Sequence, residues 1–180
     1  NYIDEGIKSK LQQLNIPPAP LCDDAAFIRR AFIDTLGILP TSAEVQAFTK
    51  DSAPDKRAKL ADAILARPEF VDYWTYQWSD LLLISSKNLP VPQELGAFYR
   101  YVREAVEQNR PWNQFVRGIL TAAGNTQQNG AANYFLMHRE IPDLTETTSQ
   151  AFLGTSITCA RCHNHPLEKW TQNQYYGFAN

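Results

Sequence analysis

Residues 68–82 read PEFVDYWTYQWSDLL, and within them Phe70, Val71, Trp74, Trp78, Leu81 and Leu82 recur at steps of three and four. That spacing gathers them on one face of an α-helix, and Pro68 stands at the first turn, where its missing N–H costs no hydrogen bond. Two indoles on one stripe bury a large apolar area, so the segment predicts the central core helix.

The same period runs outward in both directions. Downstream, 92–108 carries Leu95, Phe98, Tyr99, Val102 and Val106 at helical spacing, and 111–120 carries Trp112, Phe115, Val116 and Ile119. Upstream, 54–66 reads as a helix, and Thr41-Ser42-Ala43-Glu44 is a capping-box sequence that opens a short one through Phe48. Asp23 caps a helix bearing Ile28, Phe32 and Leu36, which ends at Gly37. A first helix over 2–14 is stopped by Pro17, Pro18 and Pro20. No run alternates with period two between turn signals, so the expected class is all-α. The chain reads as one multi-helix domain over 1–180, with a helical scaffold over 1–120. A Gly-, Asn- and Gln-rich stretch, 121–133, reads as an exposed loop, and 134–180 holds the chemistry.

Composition narrows the function. A formal charge of −2 with acids and bases interspersed leaves no basic face for nucleic acid or an anionic membrane. The longest uncharged apolar run near the centre, 81–84, is far short of the roughly 18 residues that a membrane span needs. Three cysteines cannot pair completely, which argues against a disulfide framework. No phosphate-cradling glycine loop, nucleophile elbow or metalloprotease histidine pair occurs, so hydrolase readings have no foothold. The sequence starts at Asn1 without a signal-peptide pattern, so a targeting segment is expected to have been cleaved or left out.

Cys159-Ala160-Arg161-Cys162-His163 has the c-type haem attachment pattern, two thiols three residues apart with a histidine directly after. On a helical turn residues i and i+3 share a side, so both thiols can form thioethers with one porphyrin while the next residue turns its imidazole to the iron. His163 is then the proximal ligand, and its other ring nitrogen should donate to a carbonyl. A helix over 143–153 leads through Gly154 into this turn. Tyr134, Phe135, Phe152, Trp170, Tyr175 and Tyr176 are expected to shield the group or to serve an ordinary core, and Arg139, Arg161 and Lys169 to neutralise propionates or face solvent. For the sixth ligand the candidates are Met137 and His138, of which at most one can reach, since helical neighbours point about 100° apart. His165 suits a supporting, propionate or neighbouring-metal role better than ligation. A zinc site from Cys159, Cys162, His163 and His165 has the right donor types, but so short a segment does not easily wrap a tetrahedron. A redox dithiol lacks the expected strand-to-helix setting, and Cys22 reads as a small buried filler.

The residues also resemble a known family. Arg29-Arg30, Asp34, Gly37, Pro40-Thr41 and Glu44 carry the likeness at the start, followed by Trp74, Trp78 and Asp80-Leu81-Leu82. It continues through Pro111-Trp112, Phe115 and Arg117 to Phe152-Leu153-Gly154, Cys159, Cys162, His163, His165-Pro166, Trp170 and Tyr175-Tyr176. Together they resemble the planctomycete-type cytochrome-like domains (PSCyt type, domain of unknown function 1549) of large extracytoplasmic bacterial proteins. The resemblance implies one covalent haem c at Cys159, Cys162 and His163, export before attachment, and often a further domain downstream, so the chain is expected to be a fragment of a longer protein. Asn164 and Leu167 stand where the family more often has Asp and Phe. The expected function is periplasmic or otherwise extracytoplasmic electron transfer, with a redox partner protein or an adjoining domain of the same polypeptide. The alternatives are an oxidative or peroxidatic haem enzyme acting with a downstream domain, and a structural or interaction module built on a Cys/His zinc site.

Overall fold

Every regular element of the computed structural model, which describes residues 1–180, is helical. Its residues gather into two compact units, 1–66 and 67–180. The seam falls after Ala66, while the segments on either side of 121–133 belong to the same unit.

The first unit holds α1 (Tyr2–Gln13), α2 (Asp24–Leu36), α3 (Ser42–Lys50) and α4 (Lys56–Leu65). Local chemistry sets its boundaries. Asp23 accepts the Ala26 N–H at 2.7 Å, and Gly37 closes α2 in the left-handed region at φ 69°, a conformation that glycine adopts without a Cβ penalty. The Thr41–Glu44 capping box is formed in both directions. Ile28, Phe32 and Leu36 of α2 are buried, as are Phe48 and Ile64. Asp24 is paired with Lys56 and Arg57, whose hydrogen bonds hold its carboxyl below the usual range. Helix α1 buries none of its residues.

The second unit begins with α5 (Pro68–Leu81), α6 (Pro92–Glu107) and α7 (Trp112–Leu120). Its main core consists of Leu82, Leu89, Phe98, Val102, Ala105, Phe115, Ile119, Ala131 and Tyr134. Here α5 departs from the sequence expectation. The residues of this helix that are fully shielded are Thr75 and Ser79, while Trp74 and Trp78 are half-buried and Leu81 is 43% exposed. Thr75, Ser79 and Leu82 fall at steps of four and three, so the buried stripe lies beside the aromatic one, and its small side chains suit close packing with α6. Neither hydroxyl finds a hydrogen-bond partner. The indoles instead line a cleft of about 610 Å³ with Phe70, Trp112 and Phe115. Trp78 and Trp112 lie 4.7 Å apart between ring centroids.

The stretch read as an exposed loop is partly core. Residues Gly130–Ala132 form a 3₁₀ turn, and Ala131, Ala132 and Asn133 are all buried. Gly130 lies so close to α6 that a Cβ added to it would sit 2.2 Å from the Ala97 carbonyl oxygen. Polar composition suggests solvent, but the Asn133 side-chain NH2 donates to the Thr126 and Gly130 carbonyls, which offsets part of the cost of burying the amide, while its Oδ1 is buried without a partner. The short α8 (Asn133–Met137) follows at once, then α9 (Ile141–Thr148). A single π turn, Ser149–Leu153, extends α9 and ends at Gly154 in the left-handed region, φ 64°. The final helix, α10 (Gln172–Ala179), opens with a second capping box, Thr171–Gln174. No helix is long and apolar enough to cross a membrane.

Candidate haem-attachment site

Between Gly154 and α10 the chain makes a 3₁₀ turn, Thr158–Arg161, capped by Cys162. In such a turn residues i and i+3 eclipse one another. Cys159 and Cys162 are accordingly both exposed and both free thiols, whereas Ala160 between them is fully buried. Ala160, Ile157 and Tyr175 form a small core of their own, with Trp170 packed against it. The turn therefore turns its alanine inward and leaves its two sulfurs on the solvent side.

His163 is exposed and sits next to the second thiol. Its Nδ1 lies 2.7 Å from the Asn164 carbonyl oxygen, and because a carbonyl can only accept, Nδ1 carries the proton. In the neutral ring this leaves the lone pair on Nε2, the state a metal-binding imidazole requires. His165 has the opposite arrangement. Its Nδ1 accepts the backbone N–H groups of Leu167 and Glu168 at 3.2 and 2.9 Å, so its ring proton is on Nε2. The backbone N–H of His165 donates to the Trp170 carbonyl at 2.8 Å, closing a tight loop that leaves Leu167 91% exposed.

A polar frame anchors the turn to its neighbours. The Gln172 side-chain amide and the Tyr176 hydroxyl both donate to the Arg161 carbonyl, at 3.1 and 3.2 Å. The Gln172 backbone N–H, one of the orphan donors at the start of α10, is accepted by Asn164 Oδ1 at 3.0 Å. Glu146 of α9 takes the Thr158 and Tyr175 hydroxyls on its two carboxylate oxygens. Glu146, Gln172 and Asn164 carry no local signature of this role, because their partners are brought to them by the packing of α9 and α10.

The other residues singled out from the sequence fall in different places. Met137 packs against the main core, and His138 at the end of α8 is buried under Tyr134, with ring centroids 4.8 Å apart. His138 Nε2 has no hydrogen-bond partner. Burial pushes its imidazole below the usual histidine value, partly opposed by the charge of Asp143. The aromatic set divides. Tyr134 and Phe152 serve the main core, Tyr175 and Trp170 the small core around Ala160, and Phe135 and Tyr176 are partly exposed. Arg139, Arg161 and Lys169 are all exposed. Cys22 is half-buried, and its carbonyl accepts from Arg57. Cys159, Cys162, His163 and His165 do not converge as a shell of metal ligands, nor does any other group of three Cys, His, Asp or Glu side chains.

The model of one protein family, PSCyt2, described as a protein of unknown function (DUF1549), matches residues 2–180. The chain belongs to this family. No protein among the curated ones and no solved structure matches it. The PSCyt2 match runs through both compact units, so the helices of 1–66 and the Cys159–His163 turn of the second unit fall within one family match.

Proposed function

We propose that this PSCyt2 chain is an extracytoplasmic c-type cytochrome domain that carries one covalent haem through Cys159 and Cys162, with His163 as axial ligand, and that it transfers electrons. The observation that carries the reading is the attachment turn itself. Its two thiols and its imidazole are exposed together, its alanine is buried, and the Nδ1–H of His163 is tied to a carbonyl. The donor set fits haem c better than zinc, since the two cysteines and two histidines are not arranged as a closed tetrahedron.

Haem bound there would supply a one-electron ferrous/ferric couple. The chain's own part is positional. The Asn164 backbone carbonyl orients the His163 ring, and Ile157, Ala160 and Tyr175 give the turn a dry floor. Arg161 and Lys169 are exposed cations in the same segment and suit the carboxylates of a porphyrin or the face of an acidic redox partner. The partner is a separate redox protein or an adjoining domain. A second reading, a haem enzyme with an open sixth position, gains support from the packing of Met137 and His138 into the main core.

Co-expression with a periplasmic c-type maturation system tests both. The expected product is red, is heavier than the polypeptide by one haem, and gives a pyridine haemochrome that Cys159→Ser or Cys162→Ser weakens. A colourless product with the bare polypeptide mass would refute the proposal. Given haem, slow carbon monoxide binding and the near-infrared band of methionine ligation would assign Met137, and rapid binding would favour the enzyme.

A further inference from the structure

Glu146 accepts from two hydroxyls that lie 12 and 29 residues further along the chain. Thr158 Oγ1 donates to Oε2 at 3.0 Å, and the Tyr175 hydroxyl donates to Oε1 at 3.2 Å. An ionised carboxylate can only accept, so both hydroxyls must donate, and each bond is charge-assisted. Thr158 immediately precedes Cys159 and is itself exposed, and with its proton committed to Glu146 its oxygen can accept from the Ser156 hydroxyl 3.3 Å away. Tyr175 is 1% exposed and forms the floor beneath Ala160. Burial, reinforced by the Glu146 charge, keeps its phenol above the usual range and therefore protonated as a donor.

We propose that Glu146 is a positioning residue for the attachment turn, pinning the start of the turn through Thr158 to the floor of its core through Tyr175, and so fixing the direction of Cys159 and His163. The functional consequence rests on the haem reading above, whereas the geometric one does not. Gln at position 146 keeps a carbonyl for one hydroxyl and can donate its amide to the oxygen of the other, so it is the conservative replacement. Ala keeps neither bond.

The test is residue-resolved amide hydrogen exchange on the full chain, read at Ala160, whose N–H donates to the Ile157 carbonyl at 2.9 Å, and at Phe98 and Val102 in the main core. In Glu146→Ala, exchange at Ala160 should rise roughly tenfold, with Phe98 and Val102 unchanged. Glu146→Gln should recover most of the protection, and Thr158→Val should loosen Ala160 alone but add nothing in the Glu146→Ala background. On haem-loaded protein, Glu146→Ala should also change the ferric electron paramagnetic resonance signature of the axial imidazole, and Glu146→Gln should restore it. Unchanged exchange at Ala160, uniform acceleration across the unit, or a full Thr158→Val effect in the double variant would each overturn the assignment. If Glu146→Ala does not fold, Thr158→Val and Tyr175→Phe decide it, since both must loosen Ala160 selectively. Should wild-type protein never acquire haem, the functional reading fails while the exchange data still judge Glu146.

Discussion

Replacing Gly130 by alanine should damage the second unit far more than its surface-loop composition suggests. The added Cβ would stand 2.2 Å from the Ala97 carbonyl oxygen and 2.8 Å from its carbon, both backbone atoms of α6 that cannot rotate away. Ordinary contact begins more than about 1 Å further out, so the 3₁₀ turn must retreat from α6 or the helix must bend. Ala131, Ala132 and Asn133 are buried directly after it, so a retreat opens a void under all three. Overpacking of this kind costs about 1–3 kcal/mol. For a chain of this size that lowers the Tm by a few to about 10 °C. All four tryptophans, Trp74, Trp78, Trp112 and Trp170, lie in the second unit, so urea and thermal unfolding followed by tryptophan fluorescence report on it directly. Gly96→Ala is the matched control. Its Cβ would meet only the flexible Arg100 Nη1 at 3.3 Å within α6, where alanine is expected to stabilise by about 0.5–1 kcal/mol. The reasoning is refuted if Gly130→Ala unfolds within about 0.5 kcal/mol of the parent, the usual range of an indifferent surface change.

Two further predictions probe the Cys159–His163 segment and the pH response. Ile157→Ala removes a fully shielded side chain from a core of only three buried residues, at a cost of about 2–4 kcal/mol. The loosening should be local, so trypsin should cut faster after Arg161 and Lys169 while the Trp78–Trp112 fluorescence of the main core persists; an unchanged cleavage pattern would count against a separate small core. Glu69 is held down to about 2 by hydrogen bonds from Arg67, with Nη2 2.6 Å from Oε1. A carboxyl whose folded pKa is depressed contributes stability that is present above its ordinary value of 4.5 and is lost as pH falls toward about 2. A carboxyl-detected NMR titration should place its midpoint near that value, and Arg67→Gln should return it toward 4.5. A midpoint unmoved by Arg67→Gln would exclude the pairing as the cause.

Much of this molecule is decided within one helical turn of each residue. Asp23 with Gly37, Thr41 with Glu44, and Pro68 act through hydrogen bonds and φ preferences that reach no more than four positions, so the all-α class, both ends of α2 and the starts of α3 and α5 were legible in the sequence. The reading of Cys159, Cys162 and His163 is equally local, since it rests on a three-residue spacing. Tertiary packing decided what periodicity could not. The apolar stripe of α5 is real, yet close packing selected the neighbouring Thr75–Ser79 stripe for burial and left the indoles lining a cleft, because small side chains admit a second helix and large ones hold it off. The polar stretch before α8 became core because α6 accepts Gly130 against its backbone. Met137 and His138 adjoin each other in sequence and attract attention as ligands, but where they point depends on how α8 packs, which is into the main core. Glu146 reaches Thr158 and Tyr175 only through the packing of α9 with the segments that follow it, and contacts between residues 12 and 29 positions apart leave no periodic trace in a single sequence.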